Sequence, residues 1–502
     1  MNKTAVKIGL VAGWTLALVT GCSSIPSVGP DYEEPQPHDQ EFKLPDAGAP
    51  TTNLNETCEY KAAEPKEDFR VNITTNVMAQ WWRRFDDPVL TDLVDSAVTN
   101  NLTFLMARSR LEQANWQLLG SFAGFLPKFG VDGGWSRFWN HEMTRSGGGH
   151  YTHYNVRNFG IDGSWEIDVF GGTRRLTESS FAEAEAAGWS VADAWVALTT
   201  EIGRQYVSLR TIQERVEVAR TNLVLQSETY DILKSRLDSG IGDELAVNQC
   251  AYIVEQTRAR IPQLMAQEEA LKNAIAILCG ETPGQLHEAL KPLAERRDWL
   301  LQPQKIGSLP LNLLRARPDV RRAERQLAAQ TARIGVARAA WFPRLFVTGT
   351  VGWENNKSTP LFARDSFMAS LGPTFSWPIF QGGAIYANVK ATEAKTQELA
   401  YAYELAIEKA YGEVRDAYSA YTQEYHRYQA LQGGVKAATD AVAISKDLYK
   451  NGLKDFNNVL DAQRSRLDFE EQFALSRGQI TSKLIALYRA LGGGLPVDKL
   501  DE

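Results

Sequence analysis

Cys22 is the residue whose sequence context most clearly indicates chemistry. It follows a lysine-containing stretch and an apolar run over residues 8–20 that ends in small residues. This order is typical of a bacterial lipoprotein signal peptide, in which the apolar run is too short to span a membrane. We therefore expect residues 1–21 to be removed and the Cys22 thiol to be acylated at the new N-terminus. Because Ser23 and not an aspartate follows, the expected destination is the outer membrane. The alternative is an ordinary signal peptide with a chance cysteine nearby.

The other reactive side chains do not assemble a catalytic or metal site. His150 and His153 could hold a metal ion, but two histidines in a glycine-rich loop without a third ligand are usually exposed polar residues. The sequence also lacks the patterns GxSxG, GxxxxGK, HExxH and CxxC. No nucleophile, base and orienting group come together, so we expect no enzyme activity, metal or cofactor. Cys250 and Cys279 are predicted to lie far apart on one helix and to be buried; Cys58 is left without an assigned role.

The composition excludes two broad classes of protein. The 502 residues carry a formal net charge of −7, with 44% hydrophobic and 23% charged residues. A nucleic-acid-binding protein would need a basic surface to neutralise phosphates, and a disordered chain would contain fewer apolar residues. Taken alone, these figures describe a large water-soluble protein, and only the patterning of the residues changes that interpretation.

An internal repeat organises the elements of the chain. Phe-Leu-Pro at 125–127 recurs as Trp-Phe-Pro at 341–343, and Gly240 and Gly280 recur as Gly452 and Gly492 at a nearly constant offset. An ordered set of such matches indicates duplication. Each repeat is predicted to contain two strands, a very long helix, a glycine turn and a shorter helix.

Four segments alternate apolar and polar residues with the period of a strand. They lie at about 128–140, 156–170, 344–354 and 366–380, a length that suits a tilted strand crossing a bilayer. A soluble sheet with one wet face would show the same alternation, but the predicted outer-membrane address favours the membrane. The face expected to point inward carries Asp162, Glu166, Asp168, Ser370 and Thr374.

The predicted helices differ in length in a regular way. Residues 174–237 and 384–450 contain no proline and would each span roughly 100 Å. The return helices at 244–278 and 456–491 are about half as long. A proline-marked break at 281–310 and a helix at 311–342 would complete the return path in one repeat, and residues 87–125 would do so in the other.

Four strands cannot form a closed barrel, and an open edge in lipid leaves backbone groups without hydrogen bonds. Eight strands would leave an interior filled by side chains, whereas an aqueous channel needs more. We therefore predict a homotrimer with a 12-stranded barrel whose helices continue as a second tube.

The sequence resembles the TolC-like outer-membrane factors, in particular the lipoprotein (NodT-type) branch of RND-type efflux systems. The motifs that carry the resemblance cover nearly the whole mature chain in order. They are Val28-Gly29-Pro30-Asp31-Tyr32, Trp81-Trp82 with Asp87-Pro88, Phe125-Leu126-Pro127, Trp165-Glu166-Ile167-Asp168, Arg315-Ala316-Arg317-Pro318-Asp319-Val320 and Asn458-Val459-Leu460-Asp461-Ala462-Gln463.

The resemblance implies a fold that combines transmembrane β-strands with a long α-helical barrel in a trimeric duct. It implies a periplasmic adaptor, an inner-membrane RND-type pump and outer-membrane lipid as partners, and export of drugs or other small molecules. The alternatives are the exit duct of a type I protein secretion system and, less favoured, a periplasmic helical adaptor or scaffold lipoprotein.

The resemblance also implies two sets of site residues. The helix-turn-helix tips would face the adaptor, although the glycines there also suit a simple turn. The gate would lie on the inner helix pair, but the segment 431–435 lacks the acidic residues that the family shows there, and a solvated face is an alternative role for the gate carboxylates. The tip residues are Asp238, Gly240, Asp243, Gly452, Leu453 and Asp455, and the gate candidates are Tyr421, Glu424, Arg427 and Asp440.

These observations give the expected domain organisation. The expected parts are the signal peptide (1–21), a lipid-anchored extended segment (22–80), the first repeat (81–280), an equatorial connector (281–310), the second repeat (311–492) and a C-terminal tail (493–502).

Overall fold

The computed structural model describes residues 27–33, 80–143, 149–293, 315–355, 360–451 and 453–493. Within these ranges the chain forms seven helices of more than one or two turns and four strands. In chain order they are α1 (Pro88–Asn100), α2 (Leu102–Phe122), β1 (Lys128–Met143), β2 (Gly149–Ile167), α3 (Gly172–Asp238), α4 (Glu244–Leu278), α5 (Pro318–Ala339), β3 (Arg344–Asn355), β4 (Phe367–Ser376), α6 (Ala384–Lys450) and α7 (Phe456–Ala490).

The duplication is visible in the element lengths. The long helices α3 and α6 have 67 residues each, and the return helices α4 and α7 have 35 each. None of the described helices combines the length and the apolar character that a membrane-crossing helix needs.

The four strands form one antiparallel sheet in the order β1-β2-β3-β4. Phe129 pairs with Gly163, Trp165 with Val347, and Leu345 with Phe375, so the odd-numbered residues of all four strands share one face. Both outer edges, along β1 and β4, have no strand beside them among the described residues. This arrangement agrees with the expected alternation and with the expectation that one chain cannot close a barrel.

Several element ends differ from the expected positions. The strand expected at 366–380 ends at Ser376, because Pro378 has no N–H for a ladder hydrogen bond, and the one expected at 156–170 begins earlier, at Gly149, and ends at Ile167. The helix expected at 311–342 is α5, which begins only at Pro318, a residue that suits the first position of a helix and not its interior.

The chain forms two compact units. One contains the sheet, in Arg110–Ala187 and Arg322–Tyr403, together with residues 27–33. The other contains most of the long helices, in the described parts of Pro37–Ser109, Gly188–Arg321 and Glu404–Glu502.

The segment that precedes α1, residues 80–87, forms part of the core of the helical unit. Trp81 is fully buried and stacks on Tyr488 at 6.1 Å between ring centroids. Gly203 of α3 makes room for it, because a Cβ there would lie 2.2 Å from the indole ring. Tyr206 donates a hydrogen bond to Asp87 (2.8 Å) and accepts one from Arg210 (2.9 Å), which fixes the start of α1 on α3.

Candidate functional site

The odd-numbered face of the sheet is an exposed apolar surface. Many of its large side chains are more than half exposed in this chain, which is unusual for a protein that meets only water. Such a band of outward apolar residues is the signature of a strand that faces lipid. The residues are Phe129, Val131, Trp135, Ile161, Val351, Phe367, Leu371 and Phe375.

The even-numbered face carries the polar groups. Thr350 donates a hydrogen bond to Asp162 across β2 and β3 (2.6 Å), and the Arg344 Nε donates to Glu166 (2.9 Å). Ser370 and Thr374 of β4 share this face by register. These positions agree with the polar inward face expected from the alternation.

Asp168 is a correction to that expectation. It lies beyond the end of β2, and its carboxylate accepts hydrogen bonds from the backbone N–H groups of Thr173 (3.2 Å) and Arg174 (2.8 Å). A carboxylate is stabilised at these unpaired N–H groups of the first helical turn. Asp168 therefore caps α3 and does not line the sheet.

A matched pair of tryptophans marks the boundary between strands and helices in both repeats. The Trp165 Nε1 donates to the carbonyl oxygen of Phe125 (2.9 Å), and the Trp377 Nε1 donates to that of Trp341 (3.0 Å). An exposed indole with a satisfied N–H is typical of the membrane–water interface. The long helices begin at this end of the sheet, so the end of β1 at Met143 and the start of β2 at Gly149 lie at the opposite end.

The segment after the expected lipidation site is docked on the sheet-containing unit. The Val28 N–H donates to the carbonyl oxygen of Phe170 (3.2 Å), and the buried Arg175 binds Asp31 (2.6 Å). Gly29 packs directly on Gly335, since a Cβ at Gly29 would lie 2.5 Å from the Gly335 Cα. The motif at residues 28–32 thus has a physical role that the sequence did not reveal. Cys22 itself lies outside the described residues.

The first tip, residues 239–243 between α3 and α4, ends its helix in a Schellman motif. Gly240 has a φ of +76°, its N–H donates to Leu237 (2.9 Å), and the Ile241 N–H donates to Arg236 (3.1 Å). A residue with a Cβ would be strained at this φ. At the second tip, residues 451–455 between α6 and α7, the Leu453 N–H donates to Leu448 (2.9 Å), the bond that corresponds to Ile241–Arg236. Gly452 lies outside the described residues.

The two tips pack on one another through an apolar cluster. Leu233, Val247 and Cys250 of the first hairpin contact Phe456 and Leu460 of the second. The guanidinium of Arg236 also lies 5.3 Å from the ring centroid of Tyr449. The cluster leaves the outer residues of both tips exposed, namely Asp238, Ile241, Leu245, Leu453 and Asp455.

The two capping aspartates differ. The Asp243 side chain accepts a hydrogen bond from the Leu245 N–H (3.0 Å) at the start of α4. Asp455 occupies the same position before α7, but its side chain makes no capping bond. Asp455 therefore occupies the N-cap position of its helix without capping it through the side chain. Its main-chain carbonyl instead accepts from the Asn458 side chain (3.2 Å), which orders the turn in another way.

Two of the gate candidates connect α6 to α7. Glu424 accepts from the hydroxyl of Ser476 (2.5 Å), and Arg427 donates to the side chain of Gln479 (3.0 Å). Glu424 and Arg427 also bind each other (3.2 Å). The Glu424 side chain is only 12% exposed, so the alternative of a solvated face does not hold for it.

The other two gate candidates have different environments. Tyr421 is buried on α6, and Asp440 is exposed further along the same helix. Helix α6 continues unbroken through the glycine pair at 433 and 434. A Cβ at Gly434 would lie 2.6 Å from the Phe469 ring, so this glycine permits a close approach of α7.

Sequence reasoning missed the role of Arg317. This buried guanidinium binds Asp319 (2.8 Å) and Glu413 of α6 (2.6 Å) and donates to the last carbonyl of α7, at Ala490 (2.7 Å). Burial alone would raise the pKa of Asp319, but its hydrogen bonds with Arg317 hold that pKa below its usual range. The motif at 315–320 thus joins the start of α5 to two other helices.

The cysteines and histidines show no arrangement for chemistry among the described residues. Burial raises the pKa of the Cys250 and Cys279 thiols to about 11, which makes both of them unreactive. No group of three or more metal-binding side chains occurs in the described ranges. The side chain of His150 and the whole of Cys58 lie outside them.

Comparison with known proteins gives consistent matches along the chain. The model of a family described as outer membrane efflux protein matches residues 93–281 and 309–493. Nodulation protein T of Rhizobium leguminosarum bv. viciae is 29% identical over 463 residues, which are 91% of each chain. Outer membrane protein OprJ of Pseudomonas aeruginosa is 32% identical, over 66% of this chain and 68% of that protein. The structure of the outer-membrane channel OprN is similar with a TM-score of 0.80 and 30% identity, covering 93% of this chain and 99% of that one.

The difference between the two caps leads to a test. Replacing Asp243 with Ala removes a side-chain cap, which costs about 0.5–2 kcal/mol in a helix. We expect faster amide hydrogen exchange over residues 244–248 in this variant. The matched change Asp455→Ala removes no capping bond, so exchange over 456–460 should remain unchanged. Equal acceleration at both tips would contradict the assignment.

Proposed function

Because this chain belongs to the outer membrane efflux protein family, we propose that it is the outer-membrane channel of a tripartite efflux system. In this role it is a passive trimeric duct that carries drugs or other small molecules from a pump and an adaptor to the outside of the cell. It performs no catalysis and needs no cofactor. The observation that carries the proposal is the four-stranded sheet with an exposed apolar face and two unpaired edges.

The need to close this sheet in a membrane supports a trimer. In hydrocarbon, the unpaired N–H and C=O groups along β1 and β4 need partners, and the β4 edge of one chain can supply them to the β1 edge of the next. Three copies give a barrel wide enough for an aqueous lumen, whereas two would be filled by side chains. The polar face with Asp162, Glu166 and Thr350 suits such a lumen.

The tips support contact with a periplasmic adaptor. They are held rigid by the apolar cluster beneath them and present exposed apolar and acidic side chains, including Ile241, Leu453 and Asp238. A rigid surface of this kind loses little conformational entropy on binding. We assign Asp238, Gly240, Asp243, Gly452, Leu453 and Asp455 to this contact, with the glycines shaping the turns.

The lipid anchor is proposed at Cys22. Ser27 packs on Gly171 at the end of the strands, and Cys22 lies five Cα–Cα steps before Ser27, a reach of at most about 18 Å. An acyl chain at Cys22 can therefore enter the inner leaflet beside the sheet. In the same proposal residues 1–21 are removed and residues 22–80 form the lipid-anchored segment.

The channel assignment is tested by reconstitution. The purified full-length protein should have the mass of three chains and produce stepwise conductance in planar bilayers. A photo-crosslinking residue in place of Asp238 should yield a product with a periplasmic adaptor in cells, whereas the same residue in place of Arg258 on α4 should not. A protein that stays monomeric and does not conduct would overturn the proposal.

The lipidation assignment predicts the behaviour of Cys22→Ala. This variant should lose all incorporation of radiolabelled palmitate, whereas Ser23→Ala should keep it. Trimer mass and conductance should remain, because the contacts of Val28, Gly29 and Asp31 hold the segment in place without the lipid. Label retained in Cys22→Ala would refute the assignment.

The gate assignment predicts that loosening α6 from α7 favours the open duct. Arg427→Ala with Glu424→Ala removes the bonds to Gln479 and Ser476. A partly exposed pair of side-chain contacts of this kind contributes about 1 kcal/mol. A free-energy change of this size shifts the equilibrium between the closed and the open duct roughly fivefold. We expect a corresponding rise in open probability in planar bilayers. Lys436→Gln, which changes an exposed side chain on the same helix, should not alter it, and an unchanged double variant would exclude these residues from the gate.

A further inference from the structure

The lipid-facing side of the sheet carries two charged residues of one sign. The side chains of this face are described for residues 129–139 in β1, 153–167 in β2 and all of β3 and β4. Within these segments the odd-numbered residues are apolar, small or uncharged, with the exception of Arg137 and Arg157. No carboxylate occurs on this face within those segments, whereas the opposite face carries Asp132, Asp162 and Glu166.

The two arginines are neighbours on the β1–β2 hairpin. Arg137 lies opposite Asn155 and Arg157 lies opposite Trp135, which makes the arginines diagonal partners. Diagonal partners in an antiparallel pair are about 7–8 Å apart. Both side chains are exposed, and among the described residues neither guanidinium pairs with a carboxylate. The described contact of Arg137 is with the ring of Trp139, at 5.4 Å.

Their height along the strands places them at the outer edge of the membrane. Arg137 is eight residues beyond Phe129 and Arg157 ten residues before Ile167, about 26 and 33 Å of strand. With the usual tilt of barrel strands this corresponds to roughly 20–25 Å above the helix end of the sheet, close to the full height of an apolar band. An arginine is strongly disfavoured at the centre of a bilayer and tolerated at its interface.

We propose that Arg137 and Arg157 form a binding site for the phosphate groups of phosphorylated glycolipids in the outer leaflet. Guanidinium groups bind phosphate in a bidentate manner, which ammonium groups cannot reproduce. Trp135 and Trp139 flank the arginines and supply apolar surface for the sugar and the first part of the acyl chains. The site rests on the placement of the sheet in the outer membrane, but it is independent of which molecule the duct exports.

The test uses native mass spectrometry of the full-length trimer. The protein in detergent is incubated separately with diphosphoryl lipid A and with phosphatidylethanolamine, and the retained lipid is quantified. In Arg137→Gln/Arg157→Gln, retention of lipid A should fall by roughly tenfold or more, since two charge-assisted contacts are lost. The double Lys variant keeps the charge without the bidentate geometry and should give an intermediate loss.

The matched control removes the same charge elsewhere. Arg204→Gln/Arg258→Gln changes two exposed helix arginines, each paired with a glutamate on its own helix, and should retain lipid A as the unmodified protein does. Inorganic phosphate at millimolar concentration separates the two sources of phosphate. Failure of this ion to displace lipid A supports a lipid site, and complete displacement overturns it.

Two further results would overturn the proposal. One is equal retention of lipid A by the unmodified protein and the double Gln variant, and the other is equal retention of phosphatidylethanolamine and lipid A. Conductance recorded on the same samples separates this site from the proposed function, because a trimer that conducts but shows no preference for lipid A refutes only the lipid site. If the Gln variant does not assemble, the Lys variant carries the comparison.

Discussion

The structure depends on the hydrogen bonding of the backbone at the two edges of the sheet. Among the described residues, the 16-residue strand β1 has a strand partner on one side only, and an unpaired N–H or C=O in hydrocarbon costs several kcal/mol. An isolated chain therefore cannot keep this sheet in a bilayer, and the membrane form requires closure between copies. The same requirement explains the strict division into an apolar and a polar face, because a closed sheet in lipid has one side toward hydrocarbon and the other toward its lumen.

Because of the duplication, this chain supplies two hairpins with four strands in total. In both hairpins the two strand ends that continue into helices lie at the same end of the sheet. Each hairpin is followed by a helix of 67 residues and a return helix of 35. The indole of Trp165 and that of Trp377 bind equivalent carbonyls at the point where strand and helix meet. The repeats diverge away from this boundary, where Arg317 joins three helices in the second repeat. The shared residues thus fix the boundary between strands and helices, and the differing ones adapt each half to its own neighbours.

The sequence was most informative where one local rule decides the structure. Period-two alternation identified the strands and their faces, and the absence of proline identified the two long helices. It failed where two local patterns compete for the same residues and where a tertiary neighbour decides. Asp168 continues the alternation but caps α3, the end of the last strand depends on Pro378, and Asp455 occupies a capping position without capping. The burial of Glu424 depends on Ser476 of another helix, a contact that no spacing rule within α6 could reveal.

The contacts of α7 indicate how neighbouring helices can move relative to one another without unfolding. Its polar side chains bind three helices, through Glu470 to Asn222 of α3, Glu471 to Arg260 of α4 and Gln479 to Arg427 of α6. The Arg427–Gln479 contact is exposed, and an exposed polar contact contributes little by itself, so it can break at small cost. The apolar cluster around Val247 and Phe456 at the tips is buried and resists separation. Helix α6 can therefore shift against α7 along the polar part of their contact while the tips stay joined, which is the behaviour that the proposed gate and the proposed adaptor contact require.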